Sequence, residues 1–142
     1  MTVNFFVPGQ PQGKERPRVV NGHAYTPAKT VAYEGQIMAQ YWKAVVETKG
    51  VLNDAQKTGP VRVAIKATYK IPVSDSKATK AAKLANEIKP KAKPDLDNIA
   101  KAVLDALNNV AYYDDAQVYR LEVMKEFGEE PGLTVTVFHE GG

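Results

Sequence analysis

Between Lys93 and Val118 the chain gathers four carboxylates and a lysine at spacings that suit phosphodiester chemistry: Asp95, Asp97, Lys101, Asp114 and Asp115. Asp95 and Asp97 lie two apart. In an extended segment alternate side chains share a side, so both would face one cation. Within a helix they would point about 200° apart and could not easily share it. Pro94 keeps Lys93 out of the α region and suits a chain entering a helix, which puts the helix start at Asp97 or Asn98, both good N-caps. Lys101 follows Asp97 by four residues and returns to the same side one turn on. Mg²⁺ typically takes a few carboxylates together with water and phosphate oxygens. It polarises a phosphoryl group and activates water, while a neighbouring lysine offsets the negative charge that develops. Plainer readings exist for each part. One aspartate before a helix is a cap, Asp114-Asp115 alone is a turn, and Asp105 is a helix-surface partner of Lys101. Their combination within 21 residues, in a basic chain, favours the chemistry.

The elements around this stretch must position it. Ile99, Val103, Ala106, Leu107 and Val110 recur at spacings of three and four, one apolar helix face, with Asn108-Asn109 as the stop. Such a helix is about 16 Å long. For Asp114-Asp115 to join Asp95 and Asp97 the chain must double back, with Val110 to Tyr113 as a short strand. Upstream, Val3 to Val7 reads as a strand ended by Pro8-Gly9. Gln10 to Arg18 is too rich in breakers for a helix and forms a basic loop. If it is extended, Lys14, Arg16 and Arg18 share one side, and arginine's fork suits phosphate; the plain alternative is an exposed loop that happens to be basic. Val19-Val20 and Ala24-Tyr25 flank Asn21-Gly22 as a hairpin. Thr26-Pro27 starts a helix whose core face is Val31, Gly35, Met38, Trp42 and Val45, ended by Gly50. Its aromatic residues read as core or a dimer surface rather than as base-stacking groups, since Trp42 falls on the apolar stripe. Lys57 to Gly59 is a loop. Val61 to Ile71 alternates, one face apolar and the other carrying Arg62, Lys66 and Lys70, either solvated or turned to a DNA backbone.

Residues 73–93 differ in character: six lysines against Asp75 and Glu87. They read as a mobile basic flap ordered on DNA, with a short polar helix over Ser76 to Asn86, or else as a solvated linker. Tyr119, Leu121 and Val123 form a strand. Leu133, Val135 and Val137 form the last one, antiparallel to it by hairpin logic. Interleaved strands and helices without a regular βαβ rhythm indicate an α+β fold with a mixed, mostly antiparallel sheet packed with helices.

At 142 residues, 44% apolar and 25% charged, residues 1–142 make one globular domain. No apolar run approaches the length of a membrane span and no signal peptide is evident, so the cytoplasm is expected. Without cysteine there is no disulfide, thiolate zinc site or thiol nucleophile, and two isolated histidines do not form a metal cluster. Residues 1–113 hold 17 Lys/Arg against 9 Asp/Glu, and residues 114–142 hold 2 against 7. A basic body followed by an acidic tail suits a polyphosphate partner, though lysine also serves solubility.

Lys93-Pro94-Asp95-Leu96-Asp97-Asn98, the run Lys101 to Asn108, and Tyr113-Asp114-Asp115-Ala116-Gln117-Val118 together resemble the signature of the RusA family. These are phage and prophage crossover junction endodeoxyribonucleases, the Holliday junction resolvases of DNA recombination and repair. The likeness is tight over residues 93–118. It extends more loosely to Lys14–Arg18, Gly22 and Tyr25–Pro27, and to the Ser-x-Ser-Lys run after Pro72. It implies a Mg²⁺-dependent homodimer, with Mn²⁺ as a substitute and no small-molecule cofactor. Asp95, Asp97 and Asp115 would bind metal, Lys101 would be needed for cleavage, and Asp114 matches the other half of the Asp-Asp pair. Branched DNA is the implied partner, with Lys14, Arg16, Arg18, Lys66, Lys70, Lys77, Lys91 and Lys93 as candidate contacts. Two alternatives are a non-catalytic branched-DNA-binding module and a metal-dependent hydrolase of small phosphate esters.

Overall fold

A computed structural model describes residues 1–48 and 54–140; the expected helix stop at Gly50 lies outside them. In chain order the elements are β1 (Thr2–Pro8), β2 (Arg18–Val20), β3 (His23–Tyr25), α1 (Ala28–Glu47), α2 (Asp54–Thr58), β4 (Val61–Lys70), α3 (Lys77–Leu84), α4 (Leu96–Leu107), a 3-10 turn (Asp115–Gln117), β5 (Val118–Gly128) and β6 (Gly132–His139). The result is the α+β domain expected from the sequence. No helix among the described residues is long and apolar enough to cross a membrane.

Four strands make the main sheet in the order β1-β6-β4-β5. β6 runs antiparallel to both β1 and β4, whereas β4 and β5 are parallel. The hairpin expected of the last two strands is therefore not formed. The link after Gly128 crosses the end of β4, so Thr68 faces Gly132 on one side while Lys70 pairs with Gly128 on the other. The central strand β4 shows why the sheet is one-sided. Val61, Val63, Ile65, Ala67 and Tyr69 are buried, as are Val3, Phe5 and Val7 of β1 and Leu133, Val135 and Val137 of β6, and α1 and α4 close this face. The opposite face is polar and ion-paired. Lys66 meets Glu126 at 3.5 Å, and the Arg62 guanidinium lies 3.9 Å over the Phe138 ring.

Helix α1 is turned relative to the expected stripe. Its buried residues are Thr30, Tyr33, Ile37, Tyr41, Ala44 and Val45, and Trp42 is 46% exposed. Tyrosine is amphipathic and can bury its ring while its hydroxyl finds a partner: Tyr41 sits edge-on to Phe5, with its hydroxyl 3.4 Å from His139 Nε2. The helix also begins one residue late. Pro27, not Thr26, occupies the cap, and its carbonyl accepts the Val31 N–H. Lys57 belongs to the one-turn helix α2 rather than to a loop. In the 73–93 segment, α3 is capped by the Ser76 hydroxyl. Lys83 ties it down by pairing with Asp75 and lying 4.5 Å over the Phe127 ring. The expected polar helix is there, docked against the end of β5.

Candidate active site

Helix α4 begins at Leu96, earlier than expected, because the Asp95 carbonyl already accepts the Ile99 N–H at 3.0 Å. Asp95 is therefore the N-cap and Asp97 lies inside the first turn. The alternate, extended geometry that would aim both at one point is not what the backbone adopts. The Asp95 carboxylate makes no capping bond. It accepts instead from Lys93 Nζ at 3.0 and 3.1 Å. The capping explanation for Asp95 thus finds no hydrogen bond to support it.

Three distant segments fix this helix entrance. The Tyr69 hydroxyl donates to the Pro94 carbonyl at 3.3 Å, and Lys125 Nζ donates to the Ala92 carbonyl at 2.8 Å. From the other side the basic loop lies directly on the helix. Lys14 N–H donates to the Asn98 carbonyl at 3.0 Å, and a Cβ on Gly13 would stand 2.9 Å from both Asn98 Cβ and Pro94 Cβ. Glycine is required there for close approach. The Lys14 side chain turns inward, pairing with Glu34 and, at 3.3 Å, with Asp105. Burial opposes its charge, but the two carboxylates outweigh burial and hold its pKa above the usual lysine value. Of the three expected loop cations, Lys14 is thus an internal clamp. Arg16 and Arg18 are exposed.

Loop and helix enclose a cleft of about 600 Å³ lined by Arg16, Asp95, Asp97, Asn98, Lys101 and Asp105, among others. Along its floor Asp97, Lys101 and Asp105 follow one another at intervals of four on the solvent face of α4. Asp105 pairs with Lys14 rather than with Lys101. Lys101 is exposed and joins no ion pair among the described residues.

The far end of α4 is built differently. The helix stops at Leu107 with Asn108 as C-cap, and Asn109 takes φ 62°. The expected short strand over Val110 to Tyr113 is a turn carrying one isolated bridge, Asn108 to Tyr112. The buried Tyr112 donates its hydroxyl to the Leu104 carbonyl at 2.8 Å, so the chain returns along the helix by about one turn and no further. Asp114 and Asp115 follow, organised by Gln117. Gln117 Oε1 accepts the Tyr113 and Asp114 N–H groups, both at 2.9 Å, while its Nε2 donates to the carbonyls of Lys57 and Gly59. All its hydrogen-bonding capacity is used. A hydrogen bond with Asp114, then burial, then the charges of Asp114 and Asp105 push the Asp115 carboxyl above its usual range. Burial, reinforced by the same three aspartates, raises the Tyr112 phenol as well.

The carboxylates therefore form two groups at opposite ends of one helix. Asp95 and Asp105 are ten residues apart, about 15 Å along the axis, and Asp115 belongs with Asp105. No three acidic or histidine side chains among the described residues form a group that could hold a metal. The other expected cations disperse. Lys93 sits on Asp95, Lys77, Lys91 and Lys70 are exposed, and Lys66 lies on the sheet face away from α4. Gln117 stood in the sequence motif without a role, although a glutamine three residues after an aspartate is itself a signal of a braced turn. Gly13 gave no such signal, because its need for closeness comes from a helix 80 residues away.

The chain is similar to known proteins along most of its length. A protein of Bacillus subtilis (strain 168) bearing the name uncharacterized protein YqaN is 36% identical over 143 residues, spanning 95% of this chain and 94% of its own length. The family model described as endodeoxyribonuclease RusA matches residues 8–138. With nearly the whole chain matched, this chain belongs to the RusA family of endodeoxyribonucleases.

Proposed function

We propose that the protein is a Mg²⁺-dependent, structure-specific endodeoxyribonuclease that resolves four-way DNA junctions in recombination and repair, working as a homodimer in the cytoplasm. The observation that carries this reading is the solvent face of α4. There Lys101, which joins no ion pair among the described residues, stands one turn from Asp97 on one side and from Asp105 on the other, in a cleft that also holds Asp95 and whose opposite wall bears Arg16.

Each aspartate pair fits the ion. Mg²⁺ takes one or two carboxylates and fills its octahedron with water and phosphate oxygen. The neighbouring Asp114 holds the Asp115 carboxyl above its usual range, a like-charge crowding that a dication would relieve. Asp95, Asp97 and Asp115 would hold the ion, with Asp114 beside them. When bound, it supplies phosphoryl polarisation and a more acidic water. The chain's own groups do the rest. Lys101 offsets charge as the phosphodiester breaks, Arg16 neutralises a phosphate across the cleft, and Lys93 releases Asp95 as DNA and cation enter.

One chain does not bring Asp115 to Asp95 and Asp97, and a dimer answers this. A two-fold axis passing beside α4 at the level of Lys101 would lay the Asp114–Asp115 end of one copy beside the Asp95–Asp97 end of the other. It also generates two sites related as strands of like polarity are related in a four-way junction.

The test is cleavage of a synthetic four-way junction and a matched linear duplex, with Mg²⁺ or chelator, by wild type and Asp97→Asn. Symmetric nicking of the junction alone, lost with chelator and in the variant, is expected. Junction binding without cutting in Mg²⁺ or Mn²⁺ would instead establish a binding module. Neither binding nor cutting would point to small phosphate esters.

A further inference from the structure

Among the described elements the hairpin β2–β3 is the least buried. Every residue from Arg16 to Tyr25 is exposed, and the two strands pair only with each other. A lone two-stranded hairpin gains little stability in water. This one is held at its base, where Lys14 bonds to Asn98, Glu34 and Asp105 and Pro27 is buried. Its tip is a tight two-residue turn, with Asn21 at φ 52° and Gly22 at φ 76°.

An exposed hairpin is ordinarily polar. Here Val19, Val20 and Tyr25 are 68%, 52% and 44% exposed. The register sorts the side chains by face. Arg18 pairs with Tyr25 and Val20 with His23, while Val19 pairs with Ala24. Because sides alternate along a strand, Arg18, Val20, His23 and Tyr25 form one face and Val19 with Ala24 the other. The first is an aromatic ring and an aliphatic group bordered by a guanidinium and an imidazole. That is the composition of a surface for stacked bases and phosphate; the Glu15 carboxylate stands 3.9 Å from the Arg18 guanidinium, a long contact between exposed groups that a phosphate would replace. The residues leading into it, Lys14 to Pro17, form a wall of the cleft that holds Asp95, Asp97 and Lys101. The hairpin thus projects from the rim of the candidate active site.

We propose that the Arg18–Val20–His23–Tyr25 face of the hairpin packs against unstacked bases at the branch point of the DNA, and so confers the preference for branched over linear substrate. The inference rests on the junction-resolving function proposed above and adds the element that reads the branch. In an intact duplex the bases are stacked and offer Tyr25 and Val20 no apolar face. At a branch point bases are open, and insertion of apolar side chains beside them is a general way to stabilise a distorted duplex. Arg18 lies where it would neutralise the phosphates that crowd there.

The experiment measures binding in chelator, where no cutting occurs, to a four-way junction with 2-aminopurine at the branch and to a linear duplex of the same arms. Val20→Thr with Tyr25→Thr removes the face while keeping residues that favour strands. Val19→Thr alters the opposite face as a control. Wild type is expected to bind the junction more tightly and to raise the 2-aminopurine fluorescence. The double variant should lose about tenfold or more in junction affinity and lose the fluorescence rise. Duplex affinity should change by less than about twofold, and Val19→Thr should behave as wild type. Equal loss on junction and duplex, or an equal loss in Val19→Thr, would overturn the proposal. So would a double variant that turns from dimer to monomer in sedimentation, since the face would then serve a second copy. A wild type that prefers the junction beside a double variant that still does defeats the hairpin inference alone. A wild type that binds both DNAs alike defeats the junction function itself.

Discussion

At the N-terminal end of α4, Asp95 and Asp97 are held from outside by segments far away in sequence: the Gly13–Lys14 loop, Tyr69 at the end of β4, and Lys125 on β5. At the C-terminal end, the turn carrying Asp114 and Asp115 is braced by the side chain of Gln117, which bonds both to the turn itself and to the Lys57–Gly59 segment. The first arrangement draws on three separate segments; the second centres on Gln117, with Lys57 Nζ 5.8 Å over the Tyr113 ring and the Tyr112–Leu104 hydrogen bond beside it. The ends also differ in electrostatic state. Asp95 has a cation of its own in Lys93, whereas Asp115 is crowded by Asp114 and Asp105. Asp95 thus has a counter-charge close by, whereas Asp115 has like charges; in the proposed dimer a dication would gain most from the Asp115 side.

The largest expected effect tests whether the two ends work together. Asp97→Asn and Asp115→Asn should each lower cleavage by on the order of a thousandfold. The loss is not unfolding. A carboxylate in the first turn of a helix stabilises it by about 0.3–1 kcal/mol, whereas a thousandfold rate loss corresponds to about 4 kcal/mol of barrier. Mixing the two inactive variants then separates the geometries. With sites shared across a two-fold, each mixed dimer carries one intact site and one doubly damaged one. Nicking should return to about a quarter of wild type, one strand per encounter. Sites contained within single chains would leave the mixture inactive. Subunit exchange followed by a nicking assay on a labelled junction reads the answer.

The next effect tests the brace at the C-terminal end. Gln117→Met keeps the length of the side chain and deletes every hydrogen bond it makes. Loss of such a bracing group typically costs 10- to 100-fold in metal affinity or activity. The Mg²⁺ concentration for half-maximal cleavage should therefore rise by about that factor, while junction affinity in chelator stays unchanged. A parallel fall in both would mean that Gln117 merely keeps the domain folded.

How much of this could be read beforehand follows the same division. The alternation of Val61 to Tyr69 announced the central strand, and the Asn21-Gly22 turn announced the hairpin, because both signals are local. The five chemical residues were legible for the same reason: they lie in one short motif. What was not legible depended on long-range geometry. A three-residue link between Gly128 and Gly132 suggests a hairpin, yet β4 lies between those strands. The stripe on α1 was placed on Trp42 because hydropathy ranks it above the tyrosines that fill the core. The separation of the two acidic pairs turned on how far the chain returns after Asn108, which Tyr112 sets by bonding to Leu104. Lys14 looked like a phosphate contact, since neither Glu34 nor Asp105 is near it in sequence.

Lys14 gives the third prediction. Lys14→Met removes the partner of two carboxylates, Glu34 and Asp105, that are partly shielded from water. The cost should fall between the surface and buried limits, about 1–2 kcal/mol of stability. Urea unfolding would show it as a shift of midpoint with unchanged slope. The salt dependence of DNA binding should not change, because this ammonium faces inward. A flatter salt dependence would return Lys14 to the DNA surface.

Arg16 is its counterpart two residues on, and the smallest effect expected here is the sharpest test of direction. The loop is pinned at Lys14 and free at Arg16, which is exposed on the cleft wall opposite Asp97 and Lys101. A cation that neutralises one phosphate releases about 0.9 counterion equivalents, so Arg16→Ala should reduce the slope of log affinity against log salt by about 0.9. Affinity should fall alike for every junction sequence, since a phosphate contact carries no sequence information. Stability should stay within about 0.5 kcal/mol of wild type, as for other exposed residues without a buried partner. Lys14→Met and Arg16→Ala are thus expected to give opposite results in the same two assays, one moving stability and not the salt slope, the other the reverse. If both variants moved the slope, the loop would lie open on the surface with its cations outward. If neither did, the basic wall of the cleft would be oriented away from DNA, and the path of the strand to Lys101 would have to come from the α3 side.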